Sequence, residues 1–123
     1  MGKIFVRAIR GAINIEENTK KAILGATERL LKTIIEENKI VPEDIACVFF
    51  TLTPDLNAEF PALAARRMGW LYVPLLCAAE INVPQGMKGV LRVMVLVNTD
   101  KSQNEIKHIY LDKAAFLRPD LQE

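Results

Sequence analysis

Histidine occurs once in this chain and cysteine only twice. The cysteines, Cys47 and Cys77, sit in apolar stretches and form no CxxC, which argues against a zinc centre or a disulfide framework. With His108 alone and no carboxylate cluster, a nucleophilic triad or a paired-acid mechanism has little to rest on. No apolar run approaches the ~18 residues of a membrane span, and Ile4-Phe5-Val6 runs into Arg7, so no secretory core fits there. An excess of either charge is lacking too. Sixteen Lys and Arg against fifteen Asp and Glu leave +1, so bulk charge attracts neither nucleic acid nor an anionic membrane. The expectation is a soluble protein of a reducing cytoplasm, without metal or cofactor, whose chemistry comes from other groups.

What is present suits one compact domain over residues 1–123, since half of the 123 residues are apolar and 25% are charged. Ile4 to Ile15 reads as a first strand, closing near Gly11. From Glu17 to about Asn38 the period becomes helical through Ile23, Leu24, Thr27, Leu30, Leu31, Ile34 and Ile35, with acids at the start. Ile45 to Thr53 reads as a central strand. A shorter helix is predicted from near Ala58 to Met68, capped by Asn57 and ended by Gly69. Leu75–Val83 and Lys88–Asn98 look like an antiparallel pair around Pro84-Gln85-Gly86-Met87. Ser102 to Glu105 has the form of a capping box, and Lys107–Leu111 that of a last strand. Residues from about 113 to 123 are expected to be a mobile tail. The order predicts an α/β (α+β) fold: a mixed sheet with helices on one face, the other face needing a cover such as an oligomer.

The informative residues are charges inside apolar strands. Arg92 lies within Gly89–Val97 and Glu80 within Leu75–Val83, and a buried charge must be paired or meet a charged ligand. A turn near Gly86 would bring the two onto one face, either as a cross-strand salt bridge or as part of a site. Arg10, in a third apolar strand, adds a second guanidinium. Two arginines against one glutamate leave the positive surplus that an anion with carboxylates needs.

Other residues carry less. Cys77 reads first as a core thiol, and three positions from Glu80 it faces the opposite side of a regular strand. His108 reads as facing solvent or a strand partner. Tyr110 is equally a core aromatic or a ligand contact. Arg66 and Arg67 complement the dipole of the short helix, and Ser102 and Glu105 cap.

Taken in order, the blocks Arg7-Ala8-Ile9-Arg10-Gly11-Ala12, Thr53-Pro54-Asp55-Leu56-Asn57-Ala58-Glu59-Phe60-Pro61-Ala62, Gly69-Trp70-Leu71-Tyr72-Val73-Pro74-Leu75, Cys77 to Glu80, Leu91-Arg92-Val93-Met94, His108-Ile109-Tyr110-Leu111 and Leu117-Arg118-Pro119-Asp120-Leu121 resemble the monofunctional, trimeric α/β chorismate mutases over nearly the whole chain. The chain departs from the family pattern at Leu63, where many members carry a basic residue, and between Arg66 and Gly69, which is one residue short.

The resemblance implies a homotrimer with a barrel-like (pseudo-α/β-barrel) core, active sites between subunits, and the Claisen rearrangement of chorismate to prephenate on the route to phenylalanine and tyrosine. It implies that Arg92 donates to the ether oxygen of the breaking bond and to a carboxylate, that Arg10 holds the enolpyruvyl carboxylate, and that Glu80 accepts from the ring hydroxyl. Cys77 would lie beside the ring and Tyr110 would bind a carboxylate. Phe60, Ala62 and Arg66 would come from a neighbouring subunit, and Leu117 and Arg118 from a closing tail. Two other readings stay open: a trimeric imine or enamine deaminase, and a non-catalytic trimeric ligand-binding module.

Overall fold

The computed structural model describes residues 2–117. Strands β1 (Phe5–Asn14), β2 (Ile45–Leu52), β3 (Leu75–Ala79), β4 (Val90–Thr99) and β5 (Ile109–Leu111) form one mixed sheet, ordered β3-β2-β4-β1-β5. Helices α1 (Lys20–Asn38) and α2 (Ala62–Arg67) pack together on one face, as the α+β reading expected.

Strand alternation divides the sheet cleanly. Ile9 and Ile13 of β1, Val48 and Phe50 of β2, and Leu91, Val93, Val95 and Val97 of β4 point at the helices and are buried. The stripe Ile23, Leu24, Thr27, Leu30, Leu31 and Ile34 of α1 meets them. Gly11 makes the closest approach possible: a Cβ there would lie 2.9 Å from Ile34 Cδ1 and 3.2 Å from Leu30 Cδ1. Helix α1 begins later than its periodicity suggests, because the Thr19 hydroxyl accepts from the Ala22 N–H at 3.1 Å and leaves Glu16 and Glu17 outside. At its other end buried Asn38 pairs with the main chain of Lys107, accepting at 2.9 Å and donating at 2.9 Å, which ties the approach to β5 onto the helix.

The expected hairpin between Leu75–Val83 and Lys88–Asn98 does not form. β2 lies between them, parallel to β3 and antiparallel to β4, and β3 ends at Ala79. The cause is the crossover through α2, which carries the chain from β2 back to a parallel neighbour on the sheet edge. Residues 80–89 are then a loop round the end of β2 rather than a tight turn. Helix α2 is also shorter than expected. Asn57 does not cap it; its N–H donates to Asn18 Oδ1 at 2.9 Å and its Oδ1 accepts from Asn18 Nδ2 at 2.7 Å, so it joins the loop before α2 to the segment before α1. Gly69, at φ 91°, does end the helix. The capping box at Ser102 and Glu105 is present around a 3-10 turn, and backbone and hydroxyl donors of Ser102 hold the Glu105 carboxyl below its ordinary pKa.

After β5, Asp112–Leu117 forms a 3-10 helix on the side of the sheet that α1 and α2 leave uncovered. Arg29 of α1 donates twice to the Asp112 carboxylate, at 2.8 and 3.0 Å, and the Lys113 N–H donates to Asn14 Oδ1 at 2.7 Å. Buried Ala114 then packs with Ala12, Val90 and Tyr110. The rest of the uncovered face is apolar and accessible, Leu76 being 59% exposed, Phe49 42% and Met94 39%.

Candidate active site

The candidate charges converge on that second face. Register places Ala78, Thr51, Arg92, Ala12 and Tyr110 in one row, one residue from each of the five strands. Glu80 enters from just past β3, its N–H donating to Leu52 O at 2.9 Å. Its Oε2 lies 3.1 Å from Arg92 Nε and accepts from Thr51 Oγ1 at 2.7 Å. The Arg92–Glu80 contact is a charge pair without the alignment of a hydrogen bond, so buried Nε is left unsatisfied. Glu80 and Arg92 therefore meet as expected, though across Thr51 rather than across a hairpin.

Tyr110 and Arg10 extend the same face. Tyr110 is only 6% exposed, and its hydroxyl finds no partner among the described residues. Leaving such a group unpaired costs about 1–3 kcal/mol, a cost that a bound carboxylate removes. Ala12, fully buried and packed with Val90, Tyr110 and Ala114, separates Arg92 from Tyr110 in this row. Arg10 lies one step along β1 on the same face, opposite Met94. Its N–H donates to His108 Nδ1 at 2.9 Å, so the lone histidine acts as a strand-edge acceptor. Among the described residues the Arg10 guanidinium has no ion-pair partner.

A cleft of about 350 Å³ opens beside this row, lined among others by Thr53, Glu80, Met87, Lys88 and Arg92. That volume suits a small metabolite. Asp55 stands at its rim. Burial pushes its carboxyl up, but donors from Thr53 and from the Gly89 and Asp55 N–H groups, with Lys88 nearby, outweigh this and hold it below its ordinary pKa. Thr53 also accepts from the Val90 N–H at 3.0 Å. Together these bonds hold Gly89, at φ 67°, where a Cβ would lie 2.8 Å from Ile15 O.

Other candidates lie elsewhere in the chain. The Cys77 side chain belongs to the helix-facing set of β3 and packs against the main core, as alternation predicted. It lines a separate cleft of about 470 Å³ with Leu52, Phe60 and Pro61. Phe60 is 70% exposed and Arg66 is exposed, whereas Ala62 is buried in the core and Leu63 is half-buried. Leu117 packs beside Tyr110 and Ala114. Arg118 lies outside the described residues. Thr51 is not among the candidates that the sequence singles out. Its signal was available, as the one polar side chain in Ile45–Leu52, on the strand face opposite Phe50 and Leu52.

Residues 6–121 match the family model described as chorismate mutase type I. The chain is 48% identical over 119 residues to chorismate mutase AroH of Bacillus subtilis, spanning 96% of this chain and 94% of that protein. It is 50% identical over 118 residues to chorismate mutase AroH of Thermus thermophilus, spanning 95% and 97%. Among solved structures, a chorismate mutase from Clostridium thermocellum superposes with a TM-score of 0.88 at 47% identity, over 89% of this chain and 97% of that one. These matches support neither the deaminase nor the binding-module reading.

Proposed function

The chain belongs to the type I chorismate mutase family and is a chorismate mutase, an isomerase; from that premise we propose that the row centred on Arg92 performs the rearrangement of chorismate to prephenate, in a cytoplasmic homotrimer. The observation that carries the assignment is the Arg92–Glu80 pair on the same row of the sheet as Tyr110, whose buried hydroxyl has no partner among the described residues.

The reaction is intramolecular. It breaks a C–O bond while forming a C–C bond, so no proton has to move and no nucleophile or redox partner enters. The work left to the protein is to hold a dianion folded and to stabilise charge as it separates. In this reading the Arg92 guanidinium faces the ether oxygen as negative charge grows on it. Glu80 accepts from the ring hydroxyl and faces the positive charge developing on the ring. Arg10 and Tyr110 take carboxylate oxygens, which supplies the hydroxyl with its missing partner. Fixed donors of this kind need no reorganisation at the moment of reaction. Cys77 takes part through its main chain, since its thiol packs toward the helices.

The trimer is supported by two features. Leu76, Phe49 and Met94 leave an apolar face that a second copy would bury. Exposed Phe60 and Arg66 come from the helix layer, so they would complete a neighbour's site. Leu117, at the end of the 3-10 helix fixed by Arg29 and Asn14, would border the substrate, and Arg118, outside the described residues, would be a further contact. Consumption of chorismate by the purified protein, with prephenate identified as product, is expected for wild type and strongly reduced in Arg92→Ala. Light scattering across a dilution series is expected to report three chains. Undiminished turnover by Arg92→Ala would overturn the site, and a fully active monomer would overturn the assembly.

A further inference from the structure

We propose that Thr51 is a positioning residue of this site, acting through Glu80. The proposal rests on the assignment of Glu80 and Arg92 given above. A carboxylate reaching across a neighbouring strand has several rotamers, and only some of them aim an oxygen at a substrate hydroxyl. Here one oxygen is committed twice. Oε2 accepts from Thr51 Oγ1 at 2.7 Å and lies 3.1 Å from Arg92 Nε. Oε1 has no hydrogen-bond partner among the described residues and is left for substrate. Thr51 pairs directly with Arg92 across β2 and β4 and with Ala78 across β2 and β3, so its hydroxyl stands between the two charged groups.

The hydroxyl has a second effect, on Arg92. Because Glu80 is anchored from Thr51, Nε of Arg92 is drawn toward the carboxylate, while neither terminal nitrogen makes a hydrogen bond among the described residues. They are the pair a guanidinium uses for two-point recognition of oxygens. Without the anchor, Glu80 can swing to form a two-point pair with Arg92 and neutralise the fork. A single hydroxyl thus keeps the site's carboxylate and guanidinium from fully satisfying each other. Valine at this position keeps the β-branched shape and the strand preference and deletes only the donor.

The test is a double-mutant cycle in steady-state kinetics on the assembled protein, using Thr51→Val, Thr51→Ser, Glu80→Ala and Thr51→Val/Glu80→Ala, with Arg92→Ala as reference. Thr51→Val is expected to lower kcat/KM about tenfold, the scale of losing a hydrogen bond to a charged group. Thr51→Ser, which restores the donor, recovers most of that loss. In the Glu80→Ala background Thr51→Val has no further effect, a coupling that a residue with a purely structural role would not show. Full activity in Thr51→Val, with Arg92→Ala and Glu80→Ala crippled, overturns the role of Thr51 and leaves the site standing. An equal loss on both Glu80 backgrounds also overturns it. Undiminished activity in Arg92→Ala and Glu80→Ala overturns the site assignment itself. Should Thr51→Val fail to fold, Thr51→Ala against Thr51→Ser makes the same comparison.

Discussion

The two faces of one sheet are built from alternate residues of the same strands and are used in opposite ways. In β4, Leu91 and Val93 point into the helices and are buried, while Arg92 between them points away and pairs with Glu80. In β2, Phe50 is buried and its neighbour Thr51 hydrogen-bonds a carboxylate. The helix face is dry and closed, and its energy comes from area and fit. The other face keeps polar groups incompletely satisfied at Arg92 and Tyr110 among the described residues, which costs stability and, in the proposed site, is offset by substrate. On the proposed assignment, separating stability from catalysis by a one-residue alternation makes the two properties independently adjustable.

The largest expected effect is on the closed face. Phe50→Ala should cost roughly 3–5 kcal/mol in urea unfolding while leaving kcat per folded molecule nearly unchanged. A fall in kcat without a fall in stability would break the division. On the other face Arg92→Ala should raise the barrier by roughly 3–4 kcal/mol with little change in unfolding free energy. Arg92→Lys should recover only part of this, because it keeps charge but loses the planar fork. Gly11→Ala sharpens the comparison at a single atom. The new methyl would press on Ile34 and Leu30, and about 1–3 kcal/mol of stability should be lost with kinetics retained.

The smallest effect expected is an acid one. Hydrogen bonds depress the Asp55 carboxyl below its ordinary value of 3.8, so its contribution to stability is complete above that value. It is lost as pH falls through the lower folded value. Asp55→Asn should remove that acid dependence from unfolding curves, while turnover around neutrality stays flat in both proteins. A bell-shaped profile near pH 7 that disappears in His108→Ala would argue for proton transfer instead.

Alternation and period are legible in the sequence, pairing partners less so. The stripe of α1 and the unusual placement of Arg92 inside an apolar strand follow from spacing alone. The neighbour of β3 does not, because an apolar run bounded by Pro and Gly looks the same whether it folds back on the next strand or crosses over a helix. A hairpin thus brings Glu80 and Arg92 together by a pairing the structure does not have, and gives no place to Thr51, which lies between them. Asn57 misled in a similar way: an amide before a helix satisfies Asn18 as readily as a helix N-terminus. The unpartnered Tyr110 hydroxyl depends on packing by Ala114 and Ala12, which no local pattern encodes.

The row Ala78, Thr51, Arg92, Ala12 and Tyr110 also has a kinetic consequence. Each member arrives on a different strand, and the Arg10–His108 contact beside it closes a separation of 98 positions. Helix α1 needs only local contacts, whereas joining β1 to β4 and β5 must wait for the two ends of the chain to find each other. During refolding from denaturant, helical circular dichroism should therefore recover ahead of turnover, and the lag between them times the closure of the sheet.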